Sequence, residues 1–361
     1  MKIHDLLTAM GKHNASDLHL KVNQPPIFRV NGELIRLKSA PLSDADLEGL
    51  LMPLVVGRNL KDWDVRGYAD FSVSVPEVGR FRCNVYKQLS SISAAIRRVR
   101  PKIPTYADLG LPPQIPRLAQ LEQGLVLVGG ITGSGKSTTI ASVLDDINHT
   151  RRVHILTIED PIEYVYTDDK AIVNQREVGL DVASFDDALR SAVREDPDVM
   201  LLGEMRDAET VETALTAAET GHLVFGTIHS SNSASTIGRI LDLFPPAKHE
   251  AIRTAMAFNL KCVLNQKLVK AAPPNPGMVP VVEVMFITPI IRKFILDRED
   301  TKIAEALSRD GEGGCEDFTR VLHRLWKEKR ITQETALTTA PNPEALRMLM
   351  RGITISDGGI V

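Results

Sequence analysis

The run Gly130-Ile131-Thr132-Gly133-Ser134-Gly135-Lys136-Ser137 fits the spacing G-x-x-x-x-G-K-[ST]. Glycine reaches backbone angles closed to other residues, so successive N–H groups can turn toward one set of phosphate oxygens. Lys136 is spaced to meet the β- and γ-phosphates, and the Ser137 hydroxyl to ligate Mg²⁺. The apolar run at 125–128 precedes the glycines, and residues 138–147 have helical spacing. Strand, loop and helix is the setting this chemistry needs, and the helix N-terminus adds positive potential. Gly130, Thr132, Gly133, Ser134, Gly135, Lys136, Ser137 and Thr138 are therefore the candidate binding residues for ATP.

Three further apolar runs each end in a charged or polar residue. Residues 153–158 lead to Glu159, Asp160 and Glu163; 199–202 lead to Gly203 and Glu204; 223–228 lead to His229. In open α/β sheets ligands bind beyond the carboxyl ends of the strands, so these side chains converge on the edge that carries the glycine loop. Glu204 is spaced to hold Mg²⁺, directly or through water, and to orient a water molecule. Its other reading is a salt bridge to Arg206 or a cap on the helix that follows. Glu163 reads as a general base for the attacking water or as a solvated turn carboxylate. His229 is placed to sense a γ-phosphate. His222, at the opposite end of the same run, reads as packing or a subunit contact, and the strand between the two histidines rules out one shared metal ion.

The elements around these residues divide the chain. Residues 1–98 read as an α+β module. The segment 16–22 alternates like a strand, and 27–30 and 34–37 flank Asn31-Gly32 as a hairpin. Residues 43–55 suit a helix capped by Ser43. The segments 71–75, 80–86 and 91–99 read as further strands. Residues 99–116 hold Pro101, Pro104, Pro112, Pro113 and Pro116 and read as a stiff linker and hinge. From 117 to 290 a βαβα rhythm predicts a parallel sheet covered by helices. From 291 to 361 the pattern is helical, with amphipathic candidates at 318–327 and 343–351.

Composition limits the function. In 361 residues, 43 Lys and Arg face 46 Asp and Glu, for a net charge of −3. Gripping nucleic acid as the main task usually demands a basic excess, so a nucleic-acid translocase is disfavoured. Cys83, Cys262 and Cys315 lie far apart and form no CxxC pair, which argues for buried thiols rather than a zinc site. The start of the chain meets charge at once, unlike a signal peptide, and the apolar stretch 279–291 is broken by Glu283 and Pro289. A cytoplasmic protein with only peripheral membrane contact is the expectation.

Four segments together carry a family resemblance. They are 130–137, Thr157-Ile158-Glu159-Asp160-Pro161-Ile162-Glu163, Gly203-Glu204-Met205-Arg206-Asp207, and Gly221-His222 through His229. In this order they resemble the Walker A, Asp, Walker B and His boxes of the type II/IV secretion-superfamily ATPases, and within these the type IV pilus retraction subfamily of twitching motility. Ala15-Ser16-Asp17-Leu18-His19-Leu20 and the stretch from Pro25-Pro26 to Asn31-Gly32 resemble the start of that subfamily. The resemblance implies a PAS-like N-terminal domain, a RecA-like ATPase domain and a homohexamer docked on a pilus inner-membrane platform protein. It makes Glu163 the catalytic base and gives Glu204 the Walker B role. It also implies that Arg82 and Arg194 neutralise charge on the transferring phosphoryl group. Two segments depart from the subfamily. Ile290-Ile291-Arg292-Lys293-Phe294-Ile295-Leu296-Asp297 stands where it usually carries A-I-R-N-L-I-R-E, and the loop 271–278 lacks an arginine often found there. An accessory retraction ATPase or an extension or secretion ATPase are the alternatives, although the four-cysteine zinc insert of the extension subfamily is missing.

Overall fold

Alternating apolar residues in the first hundred positions give strands β1 (Asp17–Leu20), β2 (Ile27–Val30), β3 (Glu33–Arg36), β4 (Tyr68–Val75), β5 (Gly79–Gln88) and β6 (Ser91–Arg98). They form one antiparallel sheet in the order β3-β2-β1-β6-β5-β4. The structure is a computed structural model that describes residues 2–360 except Asn31, Glu77, Arg100, Pro101, Val193, Pro276, 309–311, Thr354, Asp357 and Gly358. Asn31 of the expected hairpin turn, Pro101 of the proline-rich stretch and Pro276 of the 271–278 loop thus lie outside the described residues. By compactness the chain divides into Met1–Lys102 with Glu163–Val165, and Ile103–Ile162 with Tyr166–Val361.

In the first unit, helices α1 (Ile3–Lys12), α2 (Asp44–Leu51) and α3 (Arg58–Arg66) accompany the sheet. Leu7, Met10, Leu18, Phe28, Leu47, Phe81 and Ile96 form its buried core. Ser43 caps α2 as expected, its Oγ accepting from the Asp46 N–H at 3.2 Å. Alternation along β5 buries Phe81, Cys83 and Val85 and sends Arg82 to the other face.

The second unit is built on β7 (Gly124–Gly129), β8 (His154–Glu159), β9 (Ile172–Glu177), β10 (Val199–Glu204), β11 (Leu223–Ile228), β12 (Leu260–Lys270) and β13 (Met278–Phe286). Their order is β13-β12-β7-β11-β10-β8-β9, parallel throughout except for β13. Every residue of β7 and β11 is buried, the signature of parallel strands covered on both faces. The helices are α4 (Tyr106–Leu109), α5 (Lys136–Thr150), α6 (Phe185–Ala192), α7 (Ala208–Glu219), α8 (Ser233–Leu241), α9 (His249–Asn259), α10 (Pro289–Leu296), α11 (Asp300–Ser308), α12 (Phe318–Lys327), α13 (Gln333–Thr339) and α14 (Pro343–Met350). An α+β module, a P-loop α/β core and a helical C-terminal part are thus all present. Within the proline-rich stretch, the Ser142 hydroxyl of α5 donates to the Pro104 carbonyl at 2.6 Å, and the Tyr106 hydroxyl to Asp146 at 2.9 Å. Ile115 and Leu118 are buried in the core of the second unit, with Leu125, Leu127 and Leu144.

The stretch 279–291 resolves into nearly all of β13, a two-residue link and the start of α10. Among the described residues no helix is long and apolar enough to cross a membrane. Glu283, which interrupts that stretch, is buried inside β13. Its Oε1 accepts from the N–H of Ser233, the first residue of α8, at 2.6 Å. Its Oε2 accepts from the N–H of Phe318, the first residue of α12, at 3.3 Å. One carboxyl group thereby serves two helix N-termini, and these donors partly offset the effect of its burial. Cys83, Cys262 and Cys315 are all buried free thiols, and burial pushes Cys83 up to about 12.

Candidate active site

The glycine loop leaves the buried end of β7 and enters α5 at Lys136. Gly130 (φ +141°), Gly133 (φ +77°) and Gly135 (φ +89°) hold backbone angles that L side chains rarely adopt. At Gly130 space is also closed: a Cβ would lie 2.5 Å from the Gln266 carbonyl oxygen and 2.6 Å from Ser134 Oγ. Gly133 meets no protein atom within 4 Å, so its backbone angle alone requires glycine. The Lys136 ammonium folds back over the loop and donates to the carbonyls of Gly130 at 2.8 Å and Ile131 at 3.1 Å. Ser134 Oγ is buried with no hydrogen-bond partner among the described residues. A cation, an unused hydroxyl and the first N–H groups of α5 form a donor set that suits phosphate.

Sheet register brings the neighbouring residues to this loop. β7 and β11 pair in parallel with Gly129 opposite Ile228, so Gly130 and His229 leave the sheet side by side. On β10 a register shift between Leu202 and Glu204 sets Glu204 opposite Thr227. Thr227 fastens this irregularity, its Oγ1 donating to the Gly203 carbonyl at 2.6 Å and its carbonyl accepting from the Met205 N–H at 2.9 Å. Such a bulge re-aims the following side chain. Glu204 Oε1 lies 2.8 Å from His229 Nε2, and Oε2 accepts from the Arg206 guanidinium at 2.6 Å. The Arg206 hydrogen bond and charge, with smaller help from His229 and Lys136, hold the Glu204 carboxyl below the usual carboxylate range against the effect of its partial burial. Of the two sequence readings of Glu204, the salt bridge to Arg206 is present, and the same carboxylate also contacts His229. The helix cap belongs to Asp207, which accepts from the Thr210 N–H at 2.8 Å.

The other expected residues are placed differently. Glu163 is exposed in the loop after β8, which contains a cis Asp160–Pro161 peptide. The backbone beside it is fixed by buried Glu177, whose Oε2 accepts from the Ile162 N–H at 3.1 Å. Arg82 is half-buried on β5 of the first unit. Arg194 is exposed in the turn that joins α6 to the start of β10. That turn lies at the amino edge of the sheet, so within one copy Arg194 and the glycine loop occupy opposite edges, about 20 Å apart for a six-residue strand. His222 Nδ1 sits 2.9 Å from the Ala217 carbonyl and closes the end of α7, a packing role.

Two residues of β12 were not singled out by any motif. Buried Asn265 takes the Ser230 hydroxyl on its Oδ1 at 2.9 Å, which ties the residue after His229 to the strand beside β7. Buried Gln266 reaches the glycine loop itself. The available signal was a pair of amides directly after the apolar run Cys262-Val263-Leu264.

The chain is similar to known proteins over most of its length. Residues 1–320 match the family model described as type II/IV secretion system protein. The chain is 42% identical over 344 residues to the type IV pilus retraction ATPase PilT of Pseudomonas aeruginosa, covering 95% of this chain and 99% of that protein. It is 34% identical over 357 residues to the type IV pilus ATPase PilU of the same organism, covering 99% of this chain and 93% of the relative. A crystal structure of the pilus retraction motor PilT with bound ADP superposes with a TM-score of 0.89 at 42% identity, covering 96% of this chain and 99% of the other. The glycine loop, the paired Glu204 and His229 and this full-length likeness lead to one conclusion: the chain belongs to the type II/IV secretion system protein family and is one of its nucleotide-binding ATPases.

Proposed function

We propose that the chain is an ATP-hydrolysing motor that retracts type IV pili and works as a homohexamer. The observation that carries this reading is the junction of Glu204, His229 and the Lys136 loop at one sheet edge, in a chain alike over 95% of its length to a retraction ATPase. In this reading the loop N–H groups from Gly130 to Thr138 and the Lys136 ammonium hold the phosphates. The Ser137 hydroxyl and, directly or through water, Glu204 would hold Mg²⁺, which supplies charge shielding on the phosphoryl group. Glu163 accepts the proton of the attacking water as its oxygen bonds to the γ-phosphorus and the bond to the β–γ bridging oxygen breaks, leaving ADP and phosphate. His229 reports the γ-phosphate to Glu204. Arg82 and Arg194 neutralise the developing charge. The amino-edge position of Arg194 favours service to a neighbouring copy's site.

The domains in this reading are 1–98, a connector at 99–116, an ATPase core at 117–290 and a helical region at 291–361. Turnover changes the angle between the first domain and the core. Since the segment from Pro104 onward is bonded to α5, the turning point falls before it. The partner is a pilus platform protein of the inner membrane, met from the cytoplasmic side without nucleic acid. Deletion of the gene followed by counting surface pili tests the reading. Extra pili without twitching support retraction; loss of pili indicates an extension motor; an unchanged count indicates an accessory ATPase.

A further inference from the structure

We infer that Gln266 is a positioning residue for nucleotide binding: its amide sets the direction in which the tip of the glycine loop presents its N–H groups. The inference rests on the reading that nucleotide phosphates bind at this loop. Gln266 is only 3% exposed on β12, and its side chain spans two parts of the loop–helix unit. Nε2 donates to the Ser134 carbonyl at 2.8 Å, and Oε1 accepts from the Thr139 hydroxyl at 2.7 Å. The orientation of the amide is unambiguous, because a carbonyl can only accept. Thr139 lies in the first turn of α5, so the glutamine joins the loop tip to the helix it leads into.

The direction follows from peptide geometry. The only cis peptides among the described residues are Asp160–Pro161 and Pro273–Pro274, so the Ser134–Gly135 peptide is trans. In a trans peptide the C=O and the next N–H point opposite ways. With the Ser134 carbonyl drawn inward to Gln266, the Gly135 N–H is turned away from β12, toward the open side of the loop. Gly135 has φ +89° and could support other peptide orientations, so its own conformation does not fix this one. The main chain of Gln266 acts on the same loop from below, since its carbonyl oxygen fills the space beside Gly130. β12 pairs with β7 on one side and β13 on the other, which makes it a rigid floor.

The test is calorimetric titration of the full chain with ADP and Mg²⁺, alongside thermal melting and steady-state ATP hydrolysis. Gln266→Glu keeps the acceptor for Thr139 but sets a carboxylate oxygen against the Ser134 carbonyl. We expect its ADP dissociation constant to rise at least tenfold, with KM for ATP rising more than kcat falls. Thr139→Val should raise the constant about threefold to tenfold by releasing the amide, and Thr139→Ser should restore it. ADP affinity within twofold of wild type in Gln266→Glu overturns the inference. If Gln266→Glu does not fold, Thr139→Val decides, and unchanged affinity there overturns it. A lower melting temperature with unchanged affinity also overturns it, because that is the signature of packing alone. A wild-type chain that does not bind ADP instead refutes the nucleotide reading, and the inference falls with it.

Discussion

Adding a single methyl group at Gly130 should uncouple folding from nucleotide binding. The Gly130→Ala Cβ would sit 2.5 Å from the Gln266 carbonyl oxygen, a main-chain atom of a strand paired on both sides. The second obstacle, Ser134 Oγ at 2.6 Å, can rotate away, but the carbonyl cannot. The loop itself must therefore withdraw by roughly 0.9 Å to reach an ordinary contact distance. Alanine at φ +141° adds strain on the order of 1–2 kcal/mol. Loss of a well-placed hydrogen bond to a charged phosphate costs about 1.5–3 kcal/mol, on the order of 10- to 100-fold in affinity. Calorimetry with ADP and Mg²⁺ should show that loss, while melting shifts by only a few degrees. Gly133→Ala separates the two effects, because it meets no protein atom and carries only the backbone strain. Its affinity loss should stay below about tenfold. A Gly130→Ala chain that melts normally and binds ADP within threefold of wild type would refute the reasoning.

Lys136→Ala removes the ammonium that spans the loop, so calorimetry should detect little or no ATP binding. Glu163→Gln should bind ATP normally and lose turnover by a factor of about 10²–10⁴, read in kcat; near-normal turnover with Glu204→Gln inactive would make Glu204 the base instead. Mixing Arg82→Ala with Lys136→Ala subunits should recover part of the ATPase rate, because the two defects fall on different sides of a shared site; confirmed mixing without recovery counts against that arrangement. Burial raises the Glu283 carboxyl above its ordinary value, so the native state keeps this proton to higher pH than the unfolded chain. Its contribution to stability is full below the ordinary glutamate range and shrinks as pH rises through the raised value, so the melting advantage of wild type over Glu283→Gln should narrow from acid to neutral pH.

Much of the site was legible because its signals are local. The glycine loop announces itself in eight consecutive residues, and Glu204 and His229 each follow an apolar run directly. The bulge at Gly203 was not legible, since it depends on how β10 registers against β11. Gln266 was missed for a related reason. Its partner Ser134 is 132 positions away, and a polar residue in a strand ordinarily reads as a solvent-facing one. Only the placement of β12 between β7 and β13 turns that amide inward. β9 escaped notice because it is an edge strand with half-exposed polar residues and no clean alternation. The arginines mark the opposite limit. Motif likeness could name Arg194, but only the chain's topology puts it at the amino edge.

Glu283 bears on how such a chain can be divided or rearranged. With one oxygen on the start of α8 and the other on the start of α12, the C-terminal helices share an acceptor with the helix that follows His229. They are therefore no detachable appendage. A chain ending before Phe318 would leave the buried Glu283 carboxyl without one of its donors, a defect on the order of 1–3 kcal/mol at a position far from the cut. Any natural lineage that trades this terminal segment for another must supply a new N–H at the same spot or replace the glutamate. Modularity in this protein therefore stops short of the segment that begins with α12.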